Sequence, residues 1–207
     1  MVTNSIVYPI THVRSIQIFT LLYILFFSWL AYARGSYEFF FYTTYMIGMV
    51  WVISHYYSKL HISELVVAMI SLFGLLHVMG DSLYLDGVRL YDIGFFNGLF
   101  HFDNIVHMCG GMLATAIAFN VLHHHFDISV QKHPLIESYI LITVACGIGA
   151  YNELVELFLV VFLNAGVAVG DYLNNAFDLV FNLFGAFIGT ALIFYIYPDR
   201  RKHTPRT

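Results

Sequence analysis

The sequence predicts an all-α membrane protein, a polytopic transmembrane helical bundle of about six spans with both termini in the cytoplasm. Of its 207 residues, 59% are hydrophobic and only 11% are charged, whereas soluble domains carry about 25% charged residues. Uncharged runs of about 20 residues also recur along the chain, the length that crosses a hydrocarbon core of ~30 Å. A single integral membrane domain, residues 1–207, accounts for this pattern.

The predicted spans are defined by these runs. The first contains 19 residues without Asp, Glu, Lys or Arg between Arg14 and Arg34, and the second contains 20 such residues between Glu38 and Lys59. Later spans are apolar runs with few polar interruptions. The six spans cover about 15–34, 38–58, 62–82, 101–122, 135–160 and 172–198. The apolar stretch 158–170 is too short to span, so it either extends the fifth helix or forms a re-entrant loop.

The distribution of charge predicts the sidedness of the bundle. With six spans, seven basic residues fall on the side of the termini: Arg14, Lys59, Lys132, Arg200, Arg201, Lys202 and Arg206. Arg34 and Arg89 fall on the other side, together with most of the acids. Because cytoplasmic loops are enriched in Lys and Arg, the acidic face is predicted to be extracytoplasmic. The expected location is a prokaryotic plasma membrane.

Ionisable residues interrupt the last four predicted spans at helical spacing. His77 and Asp81 end span three, Asp103 and His107 begin span four, and Glu153 and Glu156 lie in the outward half of span five. Span six contributes Asp178. Each such side chain costs about 2.5–3.5 kcal/mol at the centre of a helix, so its presence indicates a partner or a function. A stripe of polar and small residues accompanies them: Asn104, Asn152, Asp171, Asn175, Asn182, Gly185 and Gly189.

Alternation of the spans brings all of these groups to the same face of the membrane. Four helices that each contribute polar ligands are the usual source of metal sites in helical bundles. Oxygen and nitrogen ligands without sulfur suit zinc, iron or manganese. The sequence therefore predicts a divalent metal site formed by His77, Asp81, Asp103, His107, Glu153, Glu156 and Asp178, while the catalytic residues are unknown.

Structural interpretations of the same residues stay open. Asp171 is equally typical of a helix cap, and His77 or His107 alone is typical of an interhelical hydrogen bond. Gly185 and Gly189 favour close helix packing over a functional role. The run 123–125 of three histidines is interpreted as a solvated helix end, with metal binding as the alternative.

Three classes of function are compatible with this pattern. The leading hypothesis is a metal-containing protein that acts on a lipid or envelope substrate at the outer face. A proton- or cation-coupled transporter or channel is the second, and a structural partner in envelope assembly is the third. The bilayer is the one certain partner; no basic patch suggests nucleic acid, and the oligomeric state is not predicted.

Four segments carry a resemblance to known families: 77–92, 101–111, 152–156 and 171–189. Together they resemble the small YjdF-like integral membrane proteins of unknown function. More distantly, the Asp-x-x-x-His, late Glu and Asp-x-x-x-Asn-x-x-Gly pattern is similar to VanZ-like proteins. Those proteins tend to have Gln after the Glu and an Arg before the last helix, where this chain has Glu156 and no such Arg. The resemblance implies a multi-pass membrane fold and no catalytic residue.

Overall fold

The computed structural model describes residues 10–34, 47–49, 51–53, 55–56, 60, 62–163 and 172–198. Five helices in these ranges are long and apolar enough to cross a membrane, which confirms the all-α membrane bundle. In chain order the helices are α1 (Ile10–Arg34), α2 (Glu64–Ser82), α3 (Phe102–Leu122), α4 (Ile128–Gln131), α5 (Pro134–Leu163) and α6 (Tyr172–Ile196). All but the single-turn α4 match predicted spans one, three, four, five and six.

Helices α1 and α2 run parallel to each other. Thr20 near the middle of α1 bonds Ser71 of α2 (Oγ to Oγ, 2.6 Å), and Arg34 at the end of α1 donates to the carbonyl of Ser82 at the end of α2. The chain between them must therefore return from one end of the bundle to the other. This geometry agrees with the predicted span 38–58, which stays a prediction because most of its residues lie outside the described ranges.

Helix α3 occupies the centre of the described bundle and packs on α2, α5 and α6. Its contact with α5 and α6 is made by small residues, of which Ala145 and Ala186 are fully buried and Ala114 is 4% exposed. Large apolar side chains on the outer surfaces, such as Leu72 and Leu154, are exposed in the isolated bundle. These side chains form an apolar outer surface, as the lipid chains of a bilayer require.

Glycines allow α3 and α6 to approach closely. A β-carbon at Gly185 would collide with the backbone carbonyl of Met108, and one at Gly111 would collide with the carbonyl of Asn182. A β-carbon at Gly189 would be in tight contact with Thr115, 3.0 Å from its β-carbon. The interpretation of Gly185 and Gly189 as packing residues therefore agrees with the structure.

We expect Gly185→Ala to destabilise the bundle by about 1–3 kcal/mol, because the added methyl group forces two backbones apart. Gly147→Ala is a matched control, since no atom lies within 4 Å of a β-carbon built at Gly147. Thermal unfolding of both variants in detergent measures the difference. Equal melting temperatures for the two variants would contradict this account of the α3–α6 contact.

Two short hairpins connect α2 to α3. Strands β1 (Tyr84–Leu85) and β2 (Val88–Arg89) pair across a turn at Asp86 and Gly87, both of which have positive φ. Strands β3 (Gly94–Phe95) and β4 (Phe100–His101) form the second hairpin. Asp-Gly is the preferred pair for such a turn, because both residues tolerate the left-handed conformation. This connection folds back over the polar end of the bundle.

Candidate functional site

The imidazole of His107 lies at the centre of the acids contributed by α3, α5 and α6. Its Nε2 is 3.5 Å from Asp103 Oδ1 and 3.7 Å from Asp178 Oδ1, and its Nδ1 is 3.6 Å from Glu153 Oε1. His107 is 9% exposed. Three predicted site carboxylates therefore surround one ring, two on one edge and one on the other.

Asp178 is held by amide donors. Asn104 Nδ2 donates to its Oδ1 at 3.1 Å, and Asn174 Nδ2 donates to its Oδ2 at 2.8 Å. The Oδ1 of Asn104 accepts from the backbone N–H of His101, which fixes Asn104 at the start of α3. Asp178 is fully buried, and these donors satisfy both of its oxygens.

Glu153 lies on the Nδ1 edge of His107, and Glu156 lies close to both residues. One nitrogen of His107 and one oxygen from each of the two acids lie within 4.8 Å of one another, and all three residues are buried. Asn152 Nδ2 donates to Glu156 Oε1 at 2.8 Å. By contrast, both oxygens of Glu153 are buried without a hydrogen-bond partner among the described residues.

The other two predicted ligands lie towards the hairpins. His77 lines the same cavity as His107 and Glu156, and its Nδ1 is 2.6 Å from the hydroxyl of Tyr91. Asp81 lies 3.7 Å from the guanidinium of Arg89, which also bonds Asp92 at 2.8 Å. Five of the seven predicted ligands therefore form one cluster, which consists of His107 and the four acids around it. His77 lies beside this cluster, whereas Asp81 forms an ion pair with Arg89.

Arg89 remains charged in this position. Burial opposes its charged form, but the hydrogen bond with Asp92 and the negative charges of Asp92 and Asp81 raise the pKa of Arg89 above its ordinary value. The guanidinium therefore fastens the hairpins to the end of α2, and we assign Asp81 this anchoring role in preference to metal binding.

A known family of membrane proteins matches most of this chain. The family model "Predicted membrane protein (DUF2238)" matches residues 15–200. The chain belongs to the DUF2238 family. This membership agrees with the resemblance to YjdF-like proteins of unknown function. Neither the curated proteins nor the solved structures gave a match.

In this DUF2238 member, only some of the polar residues predicted on α6 line the site. Asn174 donates to both Asp178 and Asp103 (3.4 Å to Oδ2 of Asp103). The sequence predicted Asn175 instead, whose Oδ1 is buried without a hydrogen-bond partner among the described residues. The amide nitrogen of Asn182 lies 3.3 Å from His107 Nδ1. Asp171 lies outside the described residues.

A second polar cluster lies at the opposite end of α3 and α5 and includes one of the three histidines of the run 123–125. His123 is 2% exposed and its Nδ1 lies 3.0 Å from Oε1 of the fully buried Glu137. Gln131 donates to the backbone carbonyl of His123 at 3.2 Å. The interpretation of the histidine run as a solvated helix end is therefore wrong for His123, because α4 and α5 fold back over it. The sequence signal for this cluster is Glu137, the acid in the first turn of α5.

Proposed function

We propose that this DUF2238 protein binds one divalent cation within the membrane, ligated by His107 Nδ1, Glu153 and Glu156. The observation that carries this proposal is Glu153: a buried carboxylate whose oxygens have no hydrogen-bond partner among the described residues, 3.6 Å from an imidazole nitrogen. A buried carboxylate without a partner is costly, so the arrangement calls for a further positive group.

A proton is a poorer explanation than a cation. Four carboxylates, those of Asp103, Glu153, Glu156 and Asp178, face one imidazole, so like charges must be compensated. A protonated Glu153 would carry an O–H donor that needs an acceptor, and its two oxygens make no hydrogen bond of standard geometry with a described residue. A divalent cation compensates two charges at once and uses the lone pairs directly.

The residues on the Nε2 edge of His107 agree with a cation at Nδ1. Ligating histidines usually direct their other nitrogen to a carboxylate, which fixes the tautomer and the ring orientation. Asp103 and Asp178 lie on the Nε2 edge, so a proton on Nε2 leaves the lone pair of Nδ1 for the cation. Asn182, 3.3 Å from Nδ1, would then shift its amide to accommodate the ion.

One nitrogen and several carboxylate oxygens suit manganese, iron or zinc. When bound, such an ion supplies Lewis acidity towards a carbonyl or phosphoryl oxygen, or an activated water. The surrounding residues contribute burial, orientation and charge. A reaction on a lipid or envelope substrate at the extracytoplasmic face is the function that this site supports best.

Equilibrium dialysis of chelator-treated protein against Mn²⁺ and Zn²⁺ tests the proposal. We expect about one ion per chain, and Glu153→Gln should weaken its affinity about tenfold or more because a charged ligand is lost. Glu64→Gln is the control, since Glu64 begins α2 at the other end of the bundle. Wild-type protein that binds no ion, or equal affinity in both variants, would overturn the proposal.

A transport path is less well supported. The His123–Glu137 pair does supply polar groups at the second end of the bundle. Between the two clusters, however, α3, α5 and α6 meet through the buried alanines Ala114, Ala145 and Ala186. The buried polar side chains in this region include Thr115 and Thr190, whose hydroxyls carry no charge. Residues 108–122 of α3 and 138–152 of α5 contain no Asp, Glu, His, Lys or Arg, so we favour a site that binds a cation from one face.

A further inference from the structure

A cavity of about 320 Å³ leads from the proposed cation site towards the opposite end of the bundle. Its polar end is formed by His77, His107, Asn152, Glu156 and Asn182. The volume lies within the range of about 300–1,000 Å³ that is usual for small-molecule sites. Because Glu156 belongs both to this wall and to the proposed ligand set, a molecule in the cavity would reach the cation.

Beyond its polar end the cavity is lined mainly by apolar side chains, with Gln17, Thr20 and Ser71 among them. Its walls there include Ile16 of α1, Val67 and Ile70 of α2, and Leu113 and Ile117 of α3. From His107 to Ile117 the cavity follows ten residues of α3, which correspond to ~15 Å at ~1.5 Å per residue. The space is therefore elongated along the bundle, with polar groups at one end and hydrocarbon surface along its length.

The hydroxyl groups in the apolar part bond to one another or to the backbone. Thr20 Oγ1 donates to the carbonyl of Ile16 at 2.8 Å and contacts Ser71 Oγ, while the Tyr23 hydroxyl donates to the Ser71 carbonyl at 3.0 Å. These groups are satisfied within the wall and do not require a polar ligand. The walls therefore favour a hydrocarbon chain over a polar solute.

We infer that the cavity binds a single-chain lipid whose head carries an anionic oxygen group, a carboxylate or a phosphate, that ligates the cation. This inference rests on the proposed function, because without the cation Glu153 and Glu156 would repel an anionic head. The chain lies among Val67, Ile70, Leu113 and Ile117, and the head lies beside His107 and Glu156. A fatty acid and a lysophospholipid with a phosphate head share this chemistry.

The test uses protein in nanodiscs, radiolabelled palmitate and oleoyl lysophosphatidate, with empty nanodiscs as the background. We expect saturable binding of at least one of the two to Mn²⁺-loaded protein, and about tenfold weaker binding after chelation of the metal. Palmitate binding alone indicates a carboxylate head, and lysophosphatidate binding alone indicates a phosphate head.

Two variants fill the cavity away from the cation ligands, Ile70→Trp and Ile117→Phe. Each should weaken lipid binding about tenfold and leave Mn²⁺ binding unchanged, which also reports an intact fold. Leu72→Trp, two residues away from Ile70 on the lipid-facing side of α2 and 55% exposed, should leave both unchanged.

If the protein binds Mn²⁺ but no lipid saturably, or if neither cavity variant differs from Leu72→Trp, the cavity assignment fails while the cation site stands. If the wild type binds no Mn²⁺, the proposed function fails first, and the anionic head fails with it.

Discussion

Replacement of His107 by phenylalanine is expected to weaken cation affinity about a hundredfold or more, because the substitution removes the one imidazole nitrogen that faces Glu153. Phenylalanine fills nearly the same volume, so the packing of α3 against α6 should survive. The four carboxylates would then be left without an imidazole or a strongly bound ion, and their mutual repulsion would favour protonation.

Thermal unfolding with and without Mn²⁺ measures this effect. A ligand present at 100 times its dissociation constant stabilises the folded state by about 2.7 kcal/mol, so the melting temperature of the wild type should rise when Mn²⁺ is added. At the same Mn²⁺ concentration a hundredfold weaker His107→Phe gains only about 0.4 kcal/mol, so its melting temperature should rise much less. His133→Phe, at an exposed position just before α5, is the control and should respond as the wild type does. A normal response in His107→Phe would mean that the cation binds elsewhere.

Glu137→Leu is expected to destabilise the bundle by about 3 kcal/mol, because it leaves the imidazole of His123 buried beside an apolar side chain. For a domain of this size such a loss lowers the melting temperature by about 6–12 °C. The double variant His123→Phe/Glu137→Leu should recover much of the loss, since neither polar group is then buried.

A double-mutant cycle in detergent distinguishes this pair from a general packing effect. The coupling energy between His123→Phe and Glu137→Leu should be large and favourable, whereas Asp127→Asn, an exposed position on the same end of the bundle, should cost little. Strictly additive losses for the two single variants would show that the His123–Glu137 contact contributes nothing of its own to stability.

The helices were predictable because the thickness of a bilayer dictates their length. Apolar runs bounded by charges predicted α1, α2 and α3 to within about five residues of their observed ends. The structure also shows that α5 extends the fifth predicted span to Leu163, which favours helix extension for this part of 158–170; residues 164–170 lie outside the described ranges. The hairpins between α2 and α3 were not predicted, although the Asp86–Gly87 pair is a recognised turn signal.

The candidate site was predictable in its composition and less so in its pairings. Spacing of three and four residues placed Glu153 with Glu156, and Asp103 with His107, on common helix faces. Spacing alone does not set the rotation of a helix, which is why Asn175 was selected on α6 where Asn174 makes the contacts. The sequence predicted Asp81 as a ligand because hydropathy does not show how the first hairpin folds. In the structure, this hairpin brings Arg89 close to Asp81.

Anomalous diffraction from crystals of the protein loaded with Zn²⁺ locates a bound cation independently of any activity. One strong peak is expected inside the bundle, about 2.0–2.2 Å from His107 Nδ1 and from carboxylate oxygens of Glu153 and Glu156. If all peaks in a zinc-saturated crystal lie at surface histidines, with no density between His107 and Glu153, the proposed cation site is wrong.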